Sequence, residues 1–211
     1  LPELPELASR IAGGCGATTQ RWGNCSGEGK EAAADGAGGE GHVLGKGDSV
    51  QTGRAASAGN NFVGDSQTRA AGDHAVELNT LGNANGAYQT DLQQTTGRTW
   101  SSVKRLTAGA SFNLRGPNNS AAEVRGTEFL IIVAPDPAGK PLVRIDSFSG
   151  TVVVKSSGDD ITVTAGLSTT VASHQKAQPP VPIPAGDRTD PFTRSNHAFA
   201  STALTIRRPR A

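Results

Sequence analysis

Aromatic residues are scarce in this sequence, with six Phe, two Trp and one Tyr among 211 residues. Hydrophobic residues make up 35% of the chain, whereas glycine alone accounts for 27 positions. A core built from so few large side chains must be thin and must consist mainly of Val, Ile, Leu and Ala. Because thin layers of small and β-branched residues suit stacked sheets better than a large enzyme fold, the composition favours an all-β protein.

The chain also lacks an excess of charge and lacks long apolar runs. Its net charge is +1, so the charge gives no electrostatic reason to expect binding to nucleic acid or to a membrane surface. No apolar run approaches the roughly 20 residues that a membrane-spanning helix needs. Methionine is absent, and the chain opens at Leu1 without a basic and apolar leader. We interpret it as a processed or trimmed protein.

Cysteine occurs only twice, at Cys15 and Cys25. An even number of cysteines in a glycine-rich segment favours a disulfide formed in an oxidising compartment, and free thiols are the alternative. Two cysteines without a neighbouring histidine are too few for a zinc site. The sequence therefore predicts a Cys15–Cys25 disulfide and a location outside the cytoplasm.

Sequence patterns of catalytic and metal sites are missing as well. There is no G-x-S-x-G elbow, no Walker motif and no dinucleotide-binding glycine motif, and the four histidines have no two-ligand spacing. Four aspartates lie near glycines: Asp65, Asp73, Asp159 and Asp160. They could bind calcium, but the favoured interpretation is that they are turn residues whose side chains hydrogen-bond their own backbone. We expect a non-catalytic protein with no cofactor and no metal.

Short strand patterns dominate what is present, most clearly between residues 121 and 173. Val124, Phe129, Ile131 and Val133 alternate with other residues, the period of a half-buried strand. Gly126 interrupts this pattern, as at a bulge or a close backbone contact. Similar runs near 142–145, 150–154 and 161–164 predict a series of short strands joined by tight turns.

The chain divides into four segments by composition. Residues 1–41 form a glycine-rich, extended N-terminal arm, and residues 42–175 carry the strand patterns. Residues 176–186 are rich in proline and predict a stiff, extended linker. In the tail, residues 187–211, Leu204 and Ile206 alternate with other residues, which predicts a short strand available for assembly.

Residues 42–175 carry several short motifs in sequence. They are an early "GD-x-V-x-TG" element, a "G-x-x-W" segment, a "VRGT-x-F" hallmark and closing "G-x-V-x-V" and "V-x-x-G" strands. The motif positions are Gly47, Asp48, Thr52, Gly53, Trp100, Val124, Arg125, Gly126, Thr127, Phe129, Gly150 and Gly166. These motifs and their order resemble those of the FecR-type domain family of bacteria.

The resemblance implies an extracytoplasmic all-β domain of short stacked strands, solenoid-like or sandwich-like. Many members relay a signal from an outer-membrane siderophore receptor to a cytoplasmic sigma factor, and others are free-standing secreted proteins. We expect this chain to be a free-standing, extracytoplasmic member.

Arg125 and Glu128 are the charged residues of the hallmark. On a regular strand their side chains point to opposite faces. Arg125 can be interpreted as a contact for a partner, or as a residue that fixes turn carbonyls around Gly126. The structural role is favoured because Arg offers five hydrogen-bond donors.

Three functions remain open at this point. The first is a non-catalytic structural or protein-interaction module, which can assemble with copies of itself into filaments or a surface layer through its terminal arms. The second is the extracytoplasmic part of a FecR-like transmembrane regulator of an extracytoplasmic-function sigma factor. The third is a cell-wall or carbohydrate-binding protein. We expect a protein partner and no nucleic acid.

Overall fold

The structure is a computed structural model that describes residues 9–11, 25–29, 32–37, 43–44, 46–53, 57–62, 65–84, 87–158 and 160–202. Within these residues it contains sixteen strands and two helices. The strands are β1 (Ser9–Ile11), β2 (Cys25–Gly29), β3 (Ala32–Ala37), β4 (Val43–Leu44), β5 (Ser49–Thr52), β6 (Ser57–Asn61), β7 (Gln67–Ala84), β8 (Ala87–Val103), β9 (Ser111–Arg115), β10 (Ala121–Val124), β11 (Thr127–Pro135), β12 (Pro141–Ser149), β13 (Thr151–Lys155), β14 (Ile161–Thr164), β15 (Leu167–Val171) and β16 (Val181–Pro182). The all-β prediction is confirmed.

The long hairpin of β7 and β8 organises the sheet. The first half of β8 pairs in parallel with β9, from Gln89 opposite Ser111 onward. The second half pairs antiparallel with β11, from Gly97 opposite Val133 onward. The sheet therefore has two arms beyond β8, with the strand orders β9–β10–β13–β14 and β11–β12–β15–β16.

The two arms share one hydrophobic core. Alternate residues of each strand point inward, as the period of a pleated strand requires. One arm contributes Phe112, Leu114, Val124, Val152, Val154 and Val163, and the other contributes Phe129, Ile131, Val133, Val143, Ile145 and Val171. The sheet curls around this cluster, so that the arms face each other like the layers of a sandwich.

The N-terminal segment lies on the same sheet in the residues that are described. Strand β1 pairs with β4 and β6, β2 pairs with β5, and β3 pairs with β2. The segment is extended, and it joins the edge of its own domain. Cys25 opens β2, whereas Cys15 lies outside the described residues, so the predicted disulfide stays a prediction.

The proline-rich segment, for which the sequence predicts a stiff, extended linker, lies on the sheet. It is extended, but β16 pairs with β15, and Ala177 and Ile183 are buried. The Ile183 N–H donates to the carbonyl of Gly166 at 2.9 Å, and the Gln178 N–H donates to the carbonyl of Thr170 at 2.9 Å. Burial and backbone hydrogen bonds hold this segment on the sheet.

Two helices follow, α1 (Ala185–Thr189) and α2 (Pro191–Thr202), where the sequence analysis predicts no helix. The Asp190 carboxylate accepts a hydrogen bond from the Thr193 N–H at 3.1 Å, as the residue before a helix does when it caps the first turn. Pro191 occupies the first helical position, where the missing N–H has no consequence. The predicted strand at Leu204 and Ile206 lies outside the described residues.

Candidate protein-interaction site

Three turns meet at the hallmark glycine. Gly126, between β10 and β11, has a φ of +76°, and a Cβ placed on it would lie 3.3 Å from Cα of Arg105. Gly150, between β12 and β13, has a φ of +74°. A Cβ on Gly150 would lie 2.6 Å from the carbonyl oxygen of Gly126. The close backbone contact predicted at Gly126 is therefore present, and it brings the segment after β8, the β10–β11 turn and the β12–β13 turn together at one end of the sandwich.

Gly150→Ala is expected to destabilise the protein by about 1–3 kcal/mol more than Gly139→Ala. Both glycines have similar left-handed backbones, with φ of +74° and +77°, so both substitutions carry the same backbone strain. Only Gly150 also faces a backbone oxygen, because nothing lies within 4 Å of a Cβ on Gly139. Urea unfolding of the two variants measures the difference. Equal losses of stability would show that the turns at this end can move apart freely.

Thr127 connects these turns, whereas Arg125 does not. The buried Thr127 hydroxyl donates to the carbonyl of Thr151 at 2.9 Å. Arg125 is exposed, and the structure gives its side chain no hydrogen bond or ion pair in the described part of the chain. Among the described residues, the side chain that bonds a turn carbonyl at this end is Thr127, and no such bond from Arg125 is present.

Arg125 has cationic neighbours at this end. Arg105 follows β8 directly behind Gly126 and is exposed, and Lys104 beside it is half-buried. None of the three side chains has an ion-pair partner among the described residues. We call Lys104, Arg105 and Arg125 the cationic end. Unpaired positive charges on adjoining turns attract and orient an acidic surface.

A second set of arginines lies on the sheet face that points away from the core. Directly opposed residues of neighbouring strands share a face, as do residues two apart on one strand. Arg69 opposes Trp100, Trp100 opposes Leu130, and Arg98 and Arg144 both oppose Ile132. We call this set the arginine face: Arg69, Arg98, Trp100, Leu130, Ile132 and Arg144.

The C-terminal helices cover the arginine face. Arg98 donates to Asp190 at 2.7 Å, and its guanidinium lies 5.1 Å from the centre of the Phe192 ring. Arg69 donates to the side-chain oxygen of Asn196 at 3.4 Å. Trp100, between these arginines on the face, is 2% exposed, and Leu130 is fully buried. Helix α2 and the residue before it therefore contact the two arginines that neighbour Trp100 on this face.

Arg144 links the sheet to helix α1. Its guanidinium donates to both oxygens of the fully buried Asp146, at 2.9 and 2.6 Å, and lies 2.7 Å from Asp187 of α1. Ser168 donates a further hydrogen bond to Asp146. The hydrogen bond to Asp146 raises the pKa of Arg144, so the guanidinium stays charged at any ordinary pH. A buried carboxylate and an exposed one thus share a single cation.

The contact between Arg98 and Asp190 also favours ionised groups. Burial by itself raises the pKa of Asp190, but the hydrogen bonds from Arg98 and from Thr193 outweigh burial, and the net pKa is lowered. The Asp190 carboxylate therefore remains negative under neutral and mildly acidic conditions. Its interaction with Arg98 is partly exposed to solvent, with 32% and 27% of the two side chains accessible.

A buried histidine lies on the inner side of the β7–β8 hairpin. His74 is 2% exposed, and its Nε2 lies 2.7 Å from the Thr99 hydroxyl. Its backbone N–H donates to the Thr52 hydroxyl at 3.4 Å. Burial lowers the pKa of His74 from 6.5 to about 4. The imidazole is therefore neutral at physiological pH.

The motif positions serve different parts of the fold. Val124 and Phe129 lie in the core, Thr52 is buried beside His74, and Trp100 contacts Phe148 at a ring-centroid distance of 4.7 Å. Gly47 and Gly166 adopt left-handed φ of +86°. Asp48 and Gly53 flank β5. Only Arg125, Gly126, Thr127 and Gly150 are brought together, at the cationic end.

The arginine face and the aspartates that bind it were not predicted from the sequence. One available signal is the uninterrupted apolar run from Phe129 to Val133, which is typical of a strand buried on both faces. A second is Asp190 followed by Pro191, the pattern of a helix start. Together they predict a C-terminal helix that covers a second sheet face.

The described residues include no group of three or more His, Cys, Asp or Glu that could hold a metal ion. Asp65 and Asp73 have left-handed φ of 60° and 42°, and Asp159 is not among the described residues. Among the helices that are described, none has the length and apolar character needed to cross a membrane.

No protein-family model matches the chain, and no curated protein matches it. Two crystal structures of candidate anti-sigma factors from Parabacteroides distasonis ATCC 8503 are similar to it, with TM-scores of 0.55 and 0.54 and 12% sequence identity. The match covers 67% of this chain and 62% of each of those chains, so it spans less than two thirds of their length. At this identity the likeness shows the fold alone.

Proposed function

We propose that this chain is a non-catalytic protein-interaction domain of a FecR-like signalling regulator, which acts outside the cytoplasm. The observation that carries the proposal is the cationic end, where Lys104, Arg105 and Arg125 extend from adjoining turns without an ion-pair partner among the described residues. The fold shared with candidate anti-sigma factors supports a role in signal relay.

The cationic end suits an acidic surface on a folded partner. Charges at the rim of an interface steer association and fix its orientation, and salt weakens them. The turns that carry the charges are held by Gly126, Gly150 and the Thr127 hydroxyl, so the cations are presented on a constrained backbone. The partner that we propose for the cationic end is the periplasmic signalling domain of an outer-membrane receptor, as the FecR resemblance implies.

Binding to such a domain is expected to fall about tenfold or more in Arg105→Glu/Arg125→Glu, because two attractive charges become repulsive. Isothermal titration calorimetry with purified signalling domains of the host's outer-membrane receptors measures this. The control is Lys140→Glu, a single charge reversal of the same kind on the exposed turn between β11 and β12, which lies at the opposite end of β11. Wild-type protein that binds none of these domains would refute the proposal, as would equal weakening by the control.

Self-association is a second proposal, and one observation favours it. Val181 on the terminal strand β16 is 56% exposed, more than any other large hydrophobic residue described. Light scattering at increasing protein concentration tests it, with Val181→Asp as the variant that should abolish any oligomer. A monomer at every concentration would remove this proposal and leave the first one intact.

A further inference from the structure

The arginine face is buried although it does not belong to the main core. Leu130 is fully buried and Trp100 is 2% exposed, yet neither is part of the hydrophobic cluster between the two arms of the sheet. Strand β11 thus buries Phe129 and Ile131 inward and Leu130 outward. On that outward side Phe148 packs against Trp100, and the segment that follows β16 lies over the arginines beside them.

Residues 185–202, which we call the C-terminal cover, are attached to the arginine face mainly by charged and polar groups. Helix α1 has no buried residue, and the buried side chains described in α2 are Thr193 and Asn196. The contacts that hold the segment are Asp187 with Arg144, Asp190 with Arg98, and Asn196 with Arg69. Arg188 adds hydrogen bonds to the carbonyls of Gly166 and Ile183. Partly exposed ion pairs of this kind are individually weak and are screened by salt.

The face is therefore matched to a particular kind of ligand. It offers an apolar strip of Trp100, Leu130 and Ile132, and it places Arg98 and Arg144 on either side of Ile132, two strands apart. In residues 185–202, two aspartates three positions apart in sequence form ion pairs with those arginines. Asp190 pairs with Arg98, and Asp187 pairs with Arg144. A helix that lays one face in an apolar groove, with charges at its rim, is a common mode of peptide recognition.

We propose that the arginine face is a docking surface for an amphipathic helix that carries carboxylates, and that residues 185–202 are its resident occupant, which a helix of a partner protein displaces. The partner is thus identified by an apolar helical face with acidic residues beside it. This surface lies apart from the cationic end, and its test does not depend on receptor binding.

The first part of the test asks whether the charged contacts hold the cover in place. In a Trp22→Phe background, Trp100 is the sole tryptophan of the full-length chain. Arg98→Asp and Asp190→Arg are each expected to raise acrylamide quenching of Trp100 at least twofold, and the double charge swap is expected to restore protection. Circular dichroism confirms that each variant is folded. Unchanged quenching in both folded single variants, or no restoration in the folded double swap, would overturn the proposal.

The second part asks whether a separate helix can take the place of the resident one. Asp187→Asn/Asp190→Asn, made in the full-length chain with Arg98 and Arg144 intact, leaves the arginines without their carboxylates. The probe is a synthetic peptide of residues 184–202, compared with a peptide of the same length that has Asn at both aspartate positions. We expect the native peptide to bind this variant and reduce Trp100 quenching, and the Asn peptide to bind about tenfold more weakly. Absence of binding at millimolar peptide, or equal binding of both peptides, would overturn the proposal.

Discussion

Replacing Arg144 with methionine is expected to lower the free energy of unfolding by about 3–5 kcal/mol. The guanidinium makes two hydrogen bonds to Asp146, which has no solvent exposure at all. Without the arginine, that carboxylate keeps only the hydroxyl of Ser168 as a described side-chain donor. Removal of one member of a buried ion pair leaves a charge that neither water nor protein neutralises, which is why the expected effect is large.

Two further variants separate this cause from simple loss of the C-terminal cover. Asp187→Asn removes only the exposed carboxylate of helix α1, so it is expected to cost less than about 1 kcal/mol. Arg144→Met/Asp146→Asn removes both charges and is expected to recover at least half of the loss caused by Arg144→Met. Chemical denaturation gives all three values. If Arg144→Met proves no more damaging than Asp187→Asn, the buried carboxylate does not need its cation.

The strands of residues 121–173 could be predicted from sequence because their pattern is local. Alternation of Val124, Phe129, Ile131 and Val133 identifies the residues that enter the core, and all four lie there. The same alternation conceals the second buried face, since Leu130 and Ile132 count as outward-facing residues. The apolar run from Phe129 to Val133 indicates that the outward side is buried as well, but the segment that lies over that side comes some sixty residues later in the chain, and no local pattern identifies it.

The glycines of the family-like motifs could also be anticipated. Gly47, Gly126, Gly150 and Gly166 all adopt positive φ, a backbone conformation that other residues rarely take. What the sequence could not supply is that Gly126 and Gly150 lie against each other, because they are 24 positions apart with two strands, β11 and β12, between them. The cationic end depends on that long-range contact and on Arg105, which no motif includes.

Which residues pair on the arginine face was beyond prediction for the same reason. Arg98 and Arg144 lie on strands that β11 separates, and each is paired with an aspartate of the C-terminal segment. The proline-rich composition of residues 176–186 favours an extended chain, which is present, but composition does not say whether an extended chain leaves the domain or packs on it. Burial of Ala177 and Ile183 decides that question in favour of packing.

Lowering the pH from 6.5 to 4 is expected to remove roughly 3 kcal/mol of stability through His74 alone. In the folded protein, burial lowers the pKa of His74 to about 4, whereas in the unfolded chain the ordinary value of 6.5 applies. Between these two values the unfolded chain binds a proton that the folded protein does not, so acid favours unfolding. The contribution of His74 is fully present above pH 6.5, is lost progressively as the pH falls to 4, and does not change further below that.

His74→Gln isolates this effect from the titration of carboxylates in the same range. Glutamine keeps a polar group within reach of the Thr99 hydroxyl but has no proton to gain, so the difference in unfolding free energy between wild type and variant should shrink as the pH falls from 6.5 to 4. His174→Asn is the matched control, because His174 is exposed with a φ of 59°, a conformation that asparagine tolerates. Its stability should follow the wild-type pH profile throughout. A His74→Gln profile parallel to wild type, measured by urea unfolding at each pH, would mean that the buried imidazole is able to accept a proton without disrupting the hairpin.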